Sequence, residues 1–193
     1  MYETTEKRIK SMIEESIEAK KKLPVGDIEK AYDVILGRYK NGGRLLICGN
    51  GGSAADAQHM AGEFVNKFKI ERKPFPCIAL TTDTSIMSAI GNDYSFDDVF
   101  SKQVEANGLE KDILLGISTS GNSKNIIRAV EKAREKSMYT ICFLGRDGGN
   151  LAKICDLPII VPSYDTPRIQ EGHELIMHIL CELVEEGLSG QKD

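Results

Sequence analysis

The sequence predicts an α/β fold, about five parallel strands between two helical layers. Three observations predict it. Short, continuous apolar runs recur at Leu45–Cys48, Cys77–Leu80, Ile113–Ile117, Tyr139–Leu144 and Leu157–Val161. Continuous rather than alternating runs suit strands buried on both faces, as in a parallel sheet. Helical stretches separate these runs, over 53–67, 96–107, 123–137 and 148–154, and a last helix spans 168–187. Polar, glycine-bearing loops follow the first and third runs, where an open parallel sheet binds its ligands.

The chain begins with two helices. Over 4–22, Ile9, Met12, Ile13 and Ser16 share one face and charges fill the rest. Pro24 and Gly26 interrupt that helix, and Asp27 is placed to cap a second. There Ile28, Ala31, Tyr32, Ile35, Leu36 and Tyr39 recur at helical spacing, and Asn41, Gly42 and Gly43 end the run. An antiparallel pair is expected, packing on the core or on a partner subunit. We read 1–193 as a single domain, with residues 1–41 a helical extension of an α/β core over 44–187.

Bulk composition narrows the function. The 193 residues, 41% hydrophobic and 28% charged with net charge −4, describe an ordinary globular domain. No basic stripe suggests nucleic acid. The first twenty residues lack an apolar leader core, and no run approaches a membrane span. A cytoplasmic protein is expected. The five cysteines (Cys48, Cys77, Cys142, Cys155 and Cys181) are scattered and read as small core residues.

The first loop, Gly49-Asn50-Gly51-Gly52-Ser53, runs into a helix. Glycines let the backbone approach a ligand, and the helix start offers free N–H groups. It is not a phosphate loop of the Walker type, which needs Gly-Lys-Ser/Thr. Gly49-x-Gly51-x-x-Ala54 fits a loose dinucleotide fingerprint, but the expected acid is missing and Asp83 comes too late. A sugar or sugar-phosphate site using Asn50 and Ser53, or a plain tight turn, remain.

The second loop puts four hydroxyls, Ser118, Thr119, Ser120 and Ser123, within six residues, with Gly121 at the bend. One hydroxyl suffices for a helix cap; four suit a phosphate cradle. No magnesium ligand set accompanies it, so the phosphate is a handle rather than a transferred group.

His59 and Glu63 stand i, i+4 on the helix after the first loop, which suits a divalent metal or an oriented acid–base pair. On the final helix, Gln170, Glu174 and His178 stand at i, i+4 and i+8. Gln170 and His178 then lie about 80° apart and face one cleft. Two imidazoles, a carboxylate and an amide oxygen make a four-ligand metal set. His173 points elsewhere and reads as a packing or surface residue.

In order, CGNGGS at 48–53, His59-x-x-x-Glu63, GND at 91–93, LLGISTSGNS at 114–123, RIQEGH at 168–173 and His178 resemble the phosphoheptose isomerases of the sugar isomerase (SIS) superfamily. The resemblance runs nearly the whole chain. It implies a flavodoxin-like SIS domain in a homotetramer with interfacial active sites. The implied reaction turns D-sedoheptulose 7-phosphate into D-glycero-D-manno-heptose 7-phosphate. That is the first step towards the ADP- or GDP-activated heptose of lipopolysaccharide or other surface glycans. The resemblance assigns phosphate to Ser118, Thr119, Ser120 and Ser123. It assigns the sugar to Asn50, Gly51, Gly52, Ser53, Asn92 and Asp93, and one zinc per subunit to His59, Glu63, Gln170 and His178. Proton transfer through an enediol is expected from Glu63 as base and His178 as its partner. The alternatives are an SIS-type regulatory or replication-initiation-associated protein, or an isomerase of another sugar phosphate.

Overall fold

The computed structural model describes residues 4–190; the outermost residues of the domain expected over 1–193 lie outside it. Strands β1 (Leu45–Gly49), β2 (Cys77–Ala79), β3 (Ile113–Ser118), β4 (Tyr139–Gly145) and β5 (Leu157–Val161) pair in parallel in the order β2-β1-β3-β4-β5. This is the flavodoxin-like order, and its direction reverses between β1 and β3. In that register Gly49 lies opposite Ile117, so the two glycine- and hydroxyl-rich loops emerge side by side.

Successive side chains along each strand enter opposite cores. Leu45 and Ile47 face a layer made by α2 (Val25–Lys40), α3 (Gly52–Val65) and α8 (Thr166–Ser189). Leu46 and Cys48 face a layer made chiefly by α5 (Ser101–Asn107), α6 (Lys124–Glu135) and α7 (Leu151–Ile154). This double burial is why the strands read as unbroken apolar runs.

The helices depart from expectation in four places. First, α4 (Thr84–Asp93) was not among the expected helices. Asp83 caps it by accepting from the Ile86 N–H at 2.9 Å, and no residue of it is fully buried, so the apolar signal is thin. Second, the helix expected over 96–107 is a 3₁₀ turn, Phe96–Asp98, followed by α5. Third, α2 starts at Val25, so Asp27 sits in its first turn instead of capping it. Fourth, α1 (Thr5–Lys21) and α2 both pack on α8 instead of forming a hairpin with each other.

The apolar face of α1 is left uncovered in the single chain. Exposure of Ile9, Met12, Ile13 and Ile17 runs from 39% (Ile17) to 54% (Ile13). They line a groove of about 490 Å³ against Arg168 and Glu171 of α8.

Candidate active site

The site is built where the sheet reverses direction. Gly51, at φ +55°, turns the chain from β1 into α3, and Ser53 is buried in the first turn. Asn50 does not point free into the crevice. Its amide and that of Asn125, in the first turn of α6, exchange two hydrogen bonds of 2.9 and 2.8 Å. Gly52 lies against Gln170: a Cβ there would stand 2.3 Å from its Nε2. The first loop therefore touches both α6 and α8.

In the second loop Ser118 Oγ and Ser123 Oγ stand 3.0 Å apart, and Ser118 Oγ accepts the Gly121 N–H. Ser123 precedes α6 without a side-chain cap bond. Its hydroxyl faces the loop, and the first turn of α6 offers N–H groups to an anion. Behind the loop, Asn122 Oδ1 accepts from the Asn150 N–H and its amide donates to Ser120 O. Gly121, at φ +66°, is packed so closely on Gly148 that an added Cβ would sit 2.0 Å from its carbonyl oxygen. Thr119 and Ser120 are half-buried at the rim.

Helices α3 and α8 bring the imidazoles together. The rings of His59 and His178 lie 5.0 Å apart, edge to face. His59 Nε2 stands 3.2 Å from Glu63 Oε1. Ligand atoms of His59, Glu174 and His178 all fall within 4.8 Å of one another. Glu174 lies between Gln170 and His178 on the helix face and was not among the expected ligands. Two imidazoles with nearby carboxylates are a donor set suited to zinc.

Other residues near this cluster were not singled out from sequence. Asp56 stands one turn before His59 on α3 and leaves Oδ2 buried without a partner. Burial and then the negative charge of Glu174 raise its carboxyl to about 6, with His59 opposing. Its i, i+3, i+7 spacing to His59 and Glu63 was a usable signal. Phe68 stacks on His178, centroids 5.6 Å apart. Glu185 holds that segment by accepting the backbone N–H groups of Phe68, Lys69 and Ile70. No local pattern could have revealed those contacts.

Asn92 and Asp93 bond to each other at the exposed end of α4. Among the described residues, their side chains make no hydrogen bond to either loop. His173 is buried and sets one ring nitrogen 2.9 Å from Leu144 O, a packing position. Burial drives its pKa down to about 4, against the opposing effect of that bond.

Fold and site together define a flavodoxin-like α/β domain whose reversal crevice carries a hydroxyl loop beside an imidazole–carboxylate cluster. The SIS domain family model matches residues 7–145. The phosphoheptose isomerase of Clostridium acetobutylicum is 52% identical over 189 residues, covering 95% of this chain and 96% of that one. The phosphoheptose isomerase structure from Neisseria gonorrhoeae is 46% identical with TM-score 0.89, covering 94% of this chain and 99% of that one. The one from Francisella tularensis is 42% identical with TM-score 0.91, covering 95% and 100%. The chain belongs to the SIS domain family and, within it, to the phosphoheptose isomerases.

Proposed function

We propose that the protein is an aldose–ketose isomerase converting D-sedoheptulose 7-phosphate to D-glycero-D-manno-heptose 7-phosphate. One observation supports the reading beyond family membership: the hydroxyl loop after β3 is tied through Asn125 and Asn50 to the loop that leads into α3, the helix whose His59 and Glu63 meet His178 of α8. A site so joined can hold a phosphate at one end and move a proton at the other. A regulatory sugar-phosphate binder needs only the first half.

Moving C1–H of the ketose to C2 needs a positioned base and a group that stabilises the enediol oxygens. Glu63 is the base at C1, and His178 is its acid–base partner. Ser118, Thr119, Ser120, Ser123 and the start of α6 hold the phosphate, so its binding energy orients the reacting carbons. The 50–53 loop, Asn92, Asp93 and Gln170 meet the sugar hydroxyls. His59, Glu63, Gln170 and His178, with Glu174 beside them, would hold a zinc ion, one per subunit, that stabilises developing negative charge as a Lewis acid.

The uncovered α1 face supports assembly into a homotetramer, with active sites at subunit interfaces. Among the described residues no helix is long and apolar enough to cross a membrane, and we infer a cytoplasmic enzyme. Its product would enter heptose synthesis for lipopolysaccharide or other surface glycans. The test is turnover of sedoheptulose 7-phosphate by the purified protein, followed by NMR with and without a chelator. Conversion, lost on chelation and restored by zinc, is expected. No conversion by folded, zinc-supplied protein moves the reading to another sugar phosphate or to a regulator.

A further inference from the structure

The Asn50–Asn125 contact sits where the two halves of the crevice meet. Asn50 leaves the end of β1, and Asn125 lies in the first turn of the helix that follows β3. The chain departs to opposite faces of the sheet from these two points: α3 packs in one core and α6 in the other. The sheet fixes where the two loops start, with Gly49 opposite Ile117, but it makes no bond between the segments beyond the strand ends. Yet each amide here gives one donor and one acceptor to the other, at 2.9 and 2.8 Å, and Asn125 is only 4% exposed. A reciprocal amide pair fixes distance and orientation together, as a single bond does not.

We propose that Asn125, through Asn50, is a positioning residue that sets the span between the phosphate loop and the proton-transfer cluster. The inference rests on the functional reading above. Asn125 lies two residues beyond Ser123, and Asn50 three before Ser53, so the clasp ties the loops at their roots. Gln170, packed against Gly52, joins α8 to the same loop. A sugar phosphate anchored at the hydroxyl loop then presents its far carbons at a distance from Glu63 and His178 that the clasp determines. Releasing it leaves phosphate binding in place and misplaces the carbons that react. The same argument makes the clasp a determinant of sugar length.

The test compares wild type with Asn50→Ala, Asn125→Ala, Asn125→Asp and Asn50→Ala/Asn125→Ala on the seven-carbon ketose phosphate, with folding checked by thermal melts. A misplacement of about 1 Å is enough for a hundredfold loss. Asn125→Ala is therefore expected to lower kcat about 10- to 100-fold and change KM less than about threefold. Asn125→Asp keeps only the bond accepted from the Asn50 amide, sets its other oxygen against Asn50 Oδ1 and adds a negative charge near the phosphate loop. With the reciprocal pair broken, its kcat is expected to fall at least about threefold below wild type while its KM rises. The double variant should be no slower than the slower single alanine, because the pair acts as one unit. Preference for the seven-carbon over a five-carbon ketose phosphate should shrink in Asn125→Ala. Wild-type kcat in Asn125→Ala, a loss that only tracks the folded fraction, or additive losses in the double variant would overturn the clasp. If Asn125→Ala does not fold, Asn125→Asp decides: wild-type kcat in that variant refutes the proposal. An inactive wild type overturns the functional reading instead, so the two failures are told apart.

Discussion

Replacing Glu185 by Gln tests how the wall behind His178 is held. The carboxylate is 1% exposed on α8. One oxygen accepts from the Phe68 N–H at 2.8 Å and from Arg72 Nε at 2.9 Å. The other accepts from Lys69 and Ile70 at 2.6 and 2.9 Å. Arg72, itself only 5% exposed, also donates to the backbone oxygens of Glu63, Phe64, Asn66 and Lys73. Glutamine keeps the shape but offers one oxygen to four donors. Its NH₂ then confronts two donors, and the guanidinium loses its counter-charge. Breaking one partner of a buried ion pair costs about 3–5 kcal/mol. For a domain of this size that lowers Tm by roughly 10 °C. The pH dependence has a definite sign. Burial alone would raise the Glu185 pKa, but the three backbone N–H bonds and Arg72 outweigh it and hold the group below its ordinary value of 4.5. Its stabilisation is thus present above about pH 4.5 and lost as pH falls through the lower folded value. Urea unfolding at fixed protomer concentration, at pH 7, measures the effect. A Glu185→Gln protein within about 1 kcal/mol of wild type would refute the clamp. Arg72→Met/Glu185→Leu should cost more than Arg72→Met alone, because the Phe68, Lys69 and Ile70 N–H groups then lose their acceptor as well.

Three further outcomes are expected. Glu63→Gln should lower kcat at least about 100-fold while the melt stays near wild type, since a general base contributes about 10²–10⁴; near-native turnover by folded protein would remove Glu63 from that role. Gly121→Ala forces a left-handed backbone position and a Cβ into the Gly148 carbonyl. It should weaken inhibition by inorganic phosphate at least about tenfold, with strain of about 1–3 kcal/mol seen in the melt. His173 is held neutral, with its pKa at about 4 against an ordinary 6.5. Its stabilisation is therefore full above 6.5 and declines as pH falls towards 4, by about 2 kcal/mol between pH 7 and 5. Unfolding free energies at those two pH values should show the decline in wild type and a smaller one in His173→Gln.

What could be read from sequence divides according to how far away each partner lies. The five strands were legible because a strand buried on both faces carries its environment in its own residues. The His59–Glu63 pair was legible because the helix supplies the spacing. Helix α4 was missed because Thr84–Asp93 buries no residue fully; its one firm sign was Asp83, which caps it. Asn50 shows the deeper limit. Beside three glycines, its amide reads as a sugar ligand, yet that amide spends one donor and one acceptor on a residue 75 positions away. The sheet makes this partnership possible, since the register sets Gly49 against Ile117 and so brings their loops together. Glu185 depends on the sheet in the same way, its backbone partners lying more than a hundred residues earlier. A parallel sheet makes neighbours of distant loops, so a polar side chain at a strand end has two possible employments, the ligand or the next loop. Local spacing identifies the chemistry that a loop can offer. The register decides which of its groups remain free to offer it. The loss of turnover expected in Asn125→Ala, a residue with no contact to the reacting carbons, follows from that second condition alone.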